Sequence, residues 1–283
     1  MKMKRKIVKS FVALILSVCI AMSMMVAANA AHVTSGTAGV STYVNNGYGS
    51  CQHGNRAGGQ YATNITNAFY DTMVFNGFQP QHSFGSQFQY TNNQVTTTAL
   101  SNASTVTFFA YAGHGFGNQS GYNTFHVYRP SSGSTHTCGS SAVNFSQQNA
   151  RFAHKYVTAY TCNWLTDGNN STRRANIMAT HNGTRLTMGF ASTMYLDSRE
   201  ATRYVVEMIG NSQMVKNAFI TAAQVYQPQR ADASSLARIV GYYPASIDRV
   251  YDGLSAAPSY SSSTASNFGV ISTTTIPYNG IKF

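Results

Sequence analysis

The sequence predicts an α/β fold of three layers, a mostly parallel sheet with helices on both faces. Two observations predict it. Three short runs, residues 105–112, 156–160 and 185–190, are nearly continuous in β-branched, aromatic and apolar side chains. That is the composition of strands covered on both faces. Between and after them lie stretches whose apolar residues recur at helical spacing, so strand and helix alternate through the middle of the chain.

The elements follow in order. Residues 1–30 read as a secretion signal: a basic start (Lys2, Lys4, Arg5, Lys6, Lys9), an apolar run over 11–27, and Ala28-Asn29-Ala30 as the small-x-small cleavage pattern. The run is short for a membrane span. The expected location is therefore extracellular, with membrane contact only through the signal. Residues 31–57 are rich in Gly, Asn and Ser, with one strand-like piece at 40–44; the segment reads as a possible propeptide. Tyr61, Ile65, Phe69, Met73 and Phe75 predict a helix that Gly77 stops. Residues 84–95 alternate weakly, as a strand or hairpin, and 96–100 suit a helical turn.

The first core strand, 105–112, leads directly into Gly113-His114-Gly115. Residues 120–150 read as a loop and hairpin with strands near 125–128 and 142–145. The second core strand, 156–160, runs into Thr161-Cys162-Asn163-Trp164. A polar turn, Asp167-Gly168-Asn169-Asn170, precedes a helix over 172–180 with Ser171 as its N-cap. The third core strand is 185–190. Helices over 198–209 and 212–226 follow, split by Gly210-Asn211, and then a strand at 236–243. Residues 256–283 form a Ser/Thr-rich tail with a weak strand pattern near 270–277. One domain is thus expected over 58–255.

Charge and cysteines narrow the function. Without the five basic residues of the signal, fourteen Lys and Arg face eight Asp and Glu, a net +6. The charge is diffuse, with no basic cluster interleaved with aromatics, so nucleic-acid binding is not indicated. Cys19 leaves with the signal, and Cys51, Cys138 and Cys162 remain. An odd number leaves at least one thiol without an internal partner. Cys51 and Cys138 both sit in loop-like sequence, so a Cys51–Cys138 disulfide is one reading; three unpaired thiols is the other. The histidines are scattered and form no metal-binding set. The turn at Asp167 has oxygen ligands of a kind that calcium accepts, or is a plain turn.

His114 lies just past one candidate strand and Cys162 just past the next. Open parallel sheets bind ligands outside the carboxyl ends of their strands. If these two strands are neighbours, imidazole and thiol meet at one edge. A nearby imidazole can take a thiol's proton and later protonate a leaving amine. The N–H groups of Gly115 and Cys162 would suit an oxyanion hole, each donor worth roughly 3 kcal/mol.

Phe-Phe-Ala-Tyr-Ala-Gly-His114-Gly115, followed by Tyr-Val-Thr-Ala-Tyr-Thr-Cys162-Asn, resembles the caspase, gingipain, legumain and separase group of cysteine peptidases. There an apolar strand ends in His-Gly and a later one in Cys. The separation here is 48 residues, against about 50 in caspases. The resemblance covers about residues 100–226 and is nearest to small secreted bacterial caspase-like proteins. It implies a cysteine endopeptidase that acts on proteins or peptides without a cofactor. His114 would be the general base, Cys162 the nucleophile and Gly115 an oxyanion contributor.

It also implies a specificity pocket in the loops near these strands. Asp167 there would attract a basic substrate side chain, or Arg173 and Arg174 an acidic one. Trp164 either walls that cleft or packs the core. Thr161 stands where caspases carry a small residue, and no acidic third member is evident. Two other readings therefore remain open: a catalytically inactive caspase-like binding protein, and a cell-surface adhesin.

Overall fold

A computed structural model describes residues 39–44, 56–80, 107–113, 115–117, 123–126, 142–144, 152–168, 170–227 and 234–278. Its centre is a seven-stranded sheet in the order β10-β9-β8-β7-β3-β1-β2. The strands are β1 (Gly39–Val44), β2 (Gln79–Pro80), β3 (Phe108–Ala112), β7 (Tyr156–Tyr160), β8 (Leu186–Phe190), β9 (Ser235–Tyr242) and β10 (Phe268–Ile276). β2, β1, β3, β7 and β8 pair in parallel, and β9 runs antiparallel to both β8 and β10. A second, antiparallel sheet of β4 (Gly115–Gly117), β5 (Asn123–His126) and β6 (Ala142–Asn144) starts just after β3. The fold is α/β and mostly parallel, as the strand and helix patterns predicted.

Every residue of β3, β7 and β8 is buried. The period-two alternation of strand side chains then divides them between two cores. Phe108, Ala110, Ala112, Tyr156 and Tyr160 join one core; Phe109, Tyr111, Val157 and Ala159 join the other. On the first face lie helices α1 (Arg56–Phe75), α3 (Ser198–Val205) and α4 (Val215–Tyr226). Ile65, Phe69 and Met73, spaced by four, form the buried stripe of α1, while Tyr61 and Phe75 lie off it in solvent. Phe69 stacks on Tyr204 at 6.0 Å and meets Phe108 at 6.4 Å. On the second face, Ile177 and Met178 of α2 (Ser171–Met178) pack with Phe109, Phe152, Trp164 and Phe268.

Local chemistry explains the helix ends. Gly77, at φ 90°, closes α1: its N–H donates to the Val74 carbonyl and that of Phe78 to Met73. This is the pattern of a left-handed glycine cap, with Phe78 and Met73 both in the core. α2 is capped by Asn170, whose Oδ1 accepts the Arg173 N–H at 3.0 Å, and not by Ser171 as expected. α3 runs on into a π-helical turn, Val206–Gly210.

Two domain boundaries move. β1 lies between β2 and β3 and pairs with both, so residues 39–44 are an interior strand of the sheet. Removal of the whole of 31–57 would strip this strand from between its two partners. β10 pairs along the full length of β9, and Phe268 and Ile276 are buried, so the Ser/Thr-rich tail belongs to the domain. The expectations over 1–30, 84–95 and 96–100 lie outside the described residues. Among the described residues, no helix is long and apolar enough to cross a membrane.

Candidate active site

β3 and β7 are neighbours, parallel and in register, with Phe108 opposite Tyr156 and Ala112 opposite Tyr160. The pairing continues past the strands, since the Gly113 N–H donates to the Tyr160 carbonyl at 3.2 Å. Cys162 stands two residues beyond Tyr160; position 114 stands two residues beyond Ala112. The condition set by the sequence, that the two strands be adjacent, is met. His114 itself lies outside the described residues, as do Cys51 and Cys138. Gly115 is described and opens β4, opposite Phe125. The strand order reverses between β1 and β3: the chain leaves β1 toward β2 on one side and leaves β3 toward β7 on the other. Crevices in open α/β sheets form at such a point.

The turn that carries Cys162 is tied to the end of β8. Asn163 has φ 57°, its N–H donates to the Ser192 carbonyl at 2.9 Å, and that of Leu165 donates to Phe190 at 3.1 Å. Asparagine tolerates this left-handed conformation better than most residues. Cys162 is a free, half-buried thiol. Its Sγ lies 3.5 Å from the Met194 carbonyl and 3.4 Å from the Met194 N–H. Burial pushes the thiol above its usual range, and the hydrogen bond from the Met194 backbone offsets only part of that rise. A thiol raised in this way stays protonated at neutral pH, so nucleophilic work would require a base beside it.

The expected pocket residues are placed differently. Trp164 is 2% exposed and meets Phe152 edge-on at 6.2 Å, so it packs the core and walls no cleft. Asp167 is 5% exposed and holds two guanidinium groups: Arg238 Nη1 at 3.0 Å on Oδ1 and Arg174 Nη2 at 2.8 Å on Oδ2. Its charge is balanced inside the protein, which removes it both as a receptor for a basic substrate and as a calcium ligand. No group of His, Cys, Asp and Glu among the described residues suits a metal. Arg173 is half-buried, and its guanidinium lies against Gly168 across the same turn. The structure thus brings Asp167, Arg173 and Arg174 together as one folded turn.

Sequence reasoning missed the Met194 backbone beside the sulfur and the groups linked behind it, Tyr195, Gln227 and Glu200. Glu200 is fully buried and its carboxyl is pushed up to about 8 by that burial, against the opposing pull of the Gln227 amide. One signal was available. Glu200 precedes Tyr204 by four and Met208 by eight, so it sits in the buried stripe of its helix. Nothing in the sequence marks the Met194 backbone.

A family model described as domain of unknown function DUF6345 matches residues 42–272, and the chain belongs to that family. The match begins inside β1 and ends inside β10, so it spans the whole sheet. No curated protein matches the chain.

Proposed function

We propose that the protein is a secreted cysteine endopeptidase with a caspase-like three-layer fold, acting through His114 and Cys162. One observation carries the reading: β3 and β7 pair in parallel with Ala112 opposite Tyr160. Each proposed catalytic residue therefore follows a paired strand end by two positions at the carboxyl edge of one sheet.

In this mechanism the His114 imidazole removes the Cys162 proton, and the thiolate attacks the scissile carbonyl. The N–H groups of Gly115 and Cys162 receive the oxyanion. Collapse expels the amine, which takes its proton from His114, and leaves a thioester on Cys162. Water, deprotonated by His114, then hydrolyses the thioester. No cofactor enters. The apolar run at 11–27 and Ala28-Asn29-Ala30 support export by a cleaved signal.

The raised thiol supports a second reading, a caspase-like binder of peptides or glycans that does not cleave them. Iodoacetamide labelling and peptide cleavage separate the two. Labelling at Cys162 that slows in His114→Ala, together with cleavage lost in both His114→Ala and Cys162→Ala, is expected of the peptidase. Labelling without cleavage of any peptide or protein favours the binder. A Cys162 found in a disulfide overturns the dyad.

A further inference from the structure

The segment that follows β8 meets the Cys162 sulfur through the Met194 backbone, and two successive peptide groups of it are each held at their other end. The first joins Thr193 to Met194. Its carbonyl accepts from the hydroxyl of Ser235, the first residue of β9, at 3.1 Å and from that of Ser192 at 3.0 Å. Its N–H is the one that meets Sγ at 3.4 Å. The second joins Met194 to Tyr195. Its N–H donates to Gln227 Oε1 at 2.9 Å, and its carbonyl lies 3.5 Å from Sγ. A trans peptide is planar, with its N–H and C=O pointing opposite ways. A group that holds one end of the plane therefore aims the other.

Gln227 is itself locked. Its Nε2 donates to the Tyr195 carbonyl at 2.9 Å and to Oε2 of Glu200. The amide thus uses its oxygen and both N–H groups, and a flip would break all three bonds. Ser235, Gln227 and Glu200 are all buried, at 2%, 3% and 0% exposure, where misdirected polar groups are costly.

We infer that Ser235 and Gln227 are positioning residues for Cys162, and that Glu200 locks Gln227 in place. Ser235 aims the Met194 N–H at the sulfur and Gln227 aims the Met194 carbonyl at it. The two have opposite effects. An N–H facing an ionised sulfur makes a charge-assisted bond and favours thiolate. A carbonyl presents its negative end, disfavours thiolate and accepts the thiol proton. The inference rests on the reading of Cys162 as a nucleophile, but its readout is the thiol and not peptide cleavage.

The test is the rate of Cys162 alkylation by iodoacetamide as a function of pH, with a thermal melt to check folding. Ser235→Ala, which leaves the Ser192 hydroxyl in place, should raise the thiol pKa and slow alkylation near neutral pH by about threefold; Ser192→Ala/Ser235→Ala should slow it about tenfold. Gln227→Met should move the pKa the other way and speed alkylation. Glu200→Gln, which keeps an acceptor for Gln227, should match the wild type near neutral pH, where burial keeps the Glu200 carboxyl protonated. Changes of the same sign in the Ser235 and Gln227 variants mean general loosening and overturn the inference. Should Gln227→Met fail to fold, an unchanged thiol pKa in Ser235→Ala does the same. If the opposite changes appear and no protein or peptide is cleaved, the positioning stands and the peptidase reading falls. If peptides are cleaved and the thiol pKa is the same in every variant, the reverse holds.

Discussion

Replacing Glu200 by glutamine should remove a specific slope from the pH dependence of stability. Glu200 is fully buried, and burial lifts its carboxyl from 4.5 to about 8. Below pH 4.5 the carboxyl is protonated in both the folded and the unfolded chain. Between 4.5 and about 8 the unfolded chain loses this proton while the folded chain keeps it, so stability falls as pH rises. Above about 8 both states are ionised and the loss levels off. A tenfold difference in proton affinity between the two states corresponds to about 1.4 kcal/mol, so the full loss is on the order of 5 kcal/mol. That is a large share of the roughly 5–15 kcal/mol that holds a typical domain folded.

His154 and His181, lowered by burial to about 3 and about 4, add a slope of opposite sign. They are held neutral when folded, so stability is lost as pH falls below 6.5. The wild-type curve alone therefore mixes the two effects, and the difference between Glu200→Gln and wild type isolates Glu200. Urea unfolding of both proteins from pH 4 to 9 measures it. The variant's relative stability should climb through pH 5–8 and then flatten. A difference that stays constant across that range would falsify the assignment of Glu200 as a buried, neutral acid.

Three further outcomes are expected. Phe69→Ala removes a buried ring that stacks on Tyr204 and meets Phe108; a loss of about 3–5 kcal/mol in urea unfolding is expected. Asp167→Asn leaves Arg238 and Arg174 without their shared carboxylate; about 3 kcal/mol should be lost, and unchanged stability in urea unfolding would refute a net stabilising role for these ion pairs. A fluorogenic peptide panel with Arg, Lys, Asp or Asn at the cleaved position should show no dependence on Asp167. Asp167→Asn lowering kcat/KM for Arg and Lys peptides alone would return this residue to the substrate pocket.

The sequence by itself determined the kind and place of most elements. The runs at 156–160 and 185–190 are β7 and β8 almost residue for residue, because strands buried on both faces admit few polar side chains. Gly77 marked the end of α1 because its left-handed backbone favours glycine. The two strand ends that carry His114 and Cys162 were legible for the same reason. What periodicity cannot report is a partner. It shows that a residue is covered, and not by what.

The tertiary structure alone made the weak strand at 39–44 an interior one and the Ser/Thr-rich tail an edge strand, since both depend on chain folded from elsewhere. It alone joined Asp167 to Arg238, 71 positions away, and sent Trp164 into the core. It alone set the Met194 backbone against Cys162, because a peptide group has the same chemistry in every residue. Its role comes only from where the serine, glutamine and glutamate around it hold its plane.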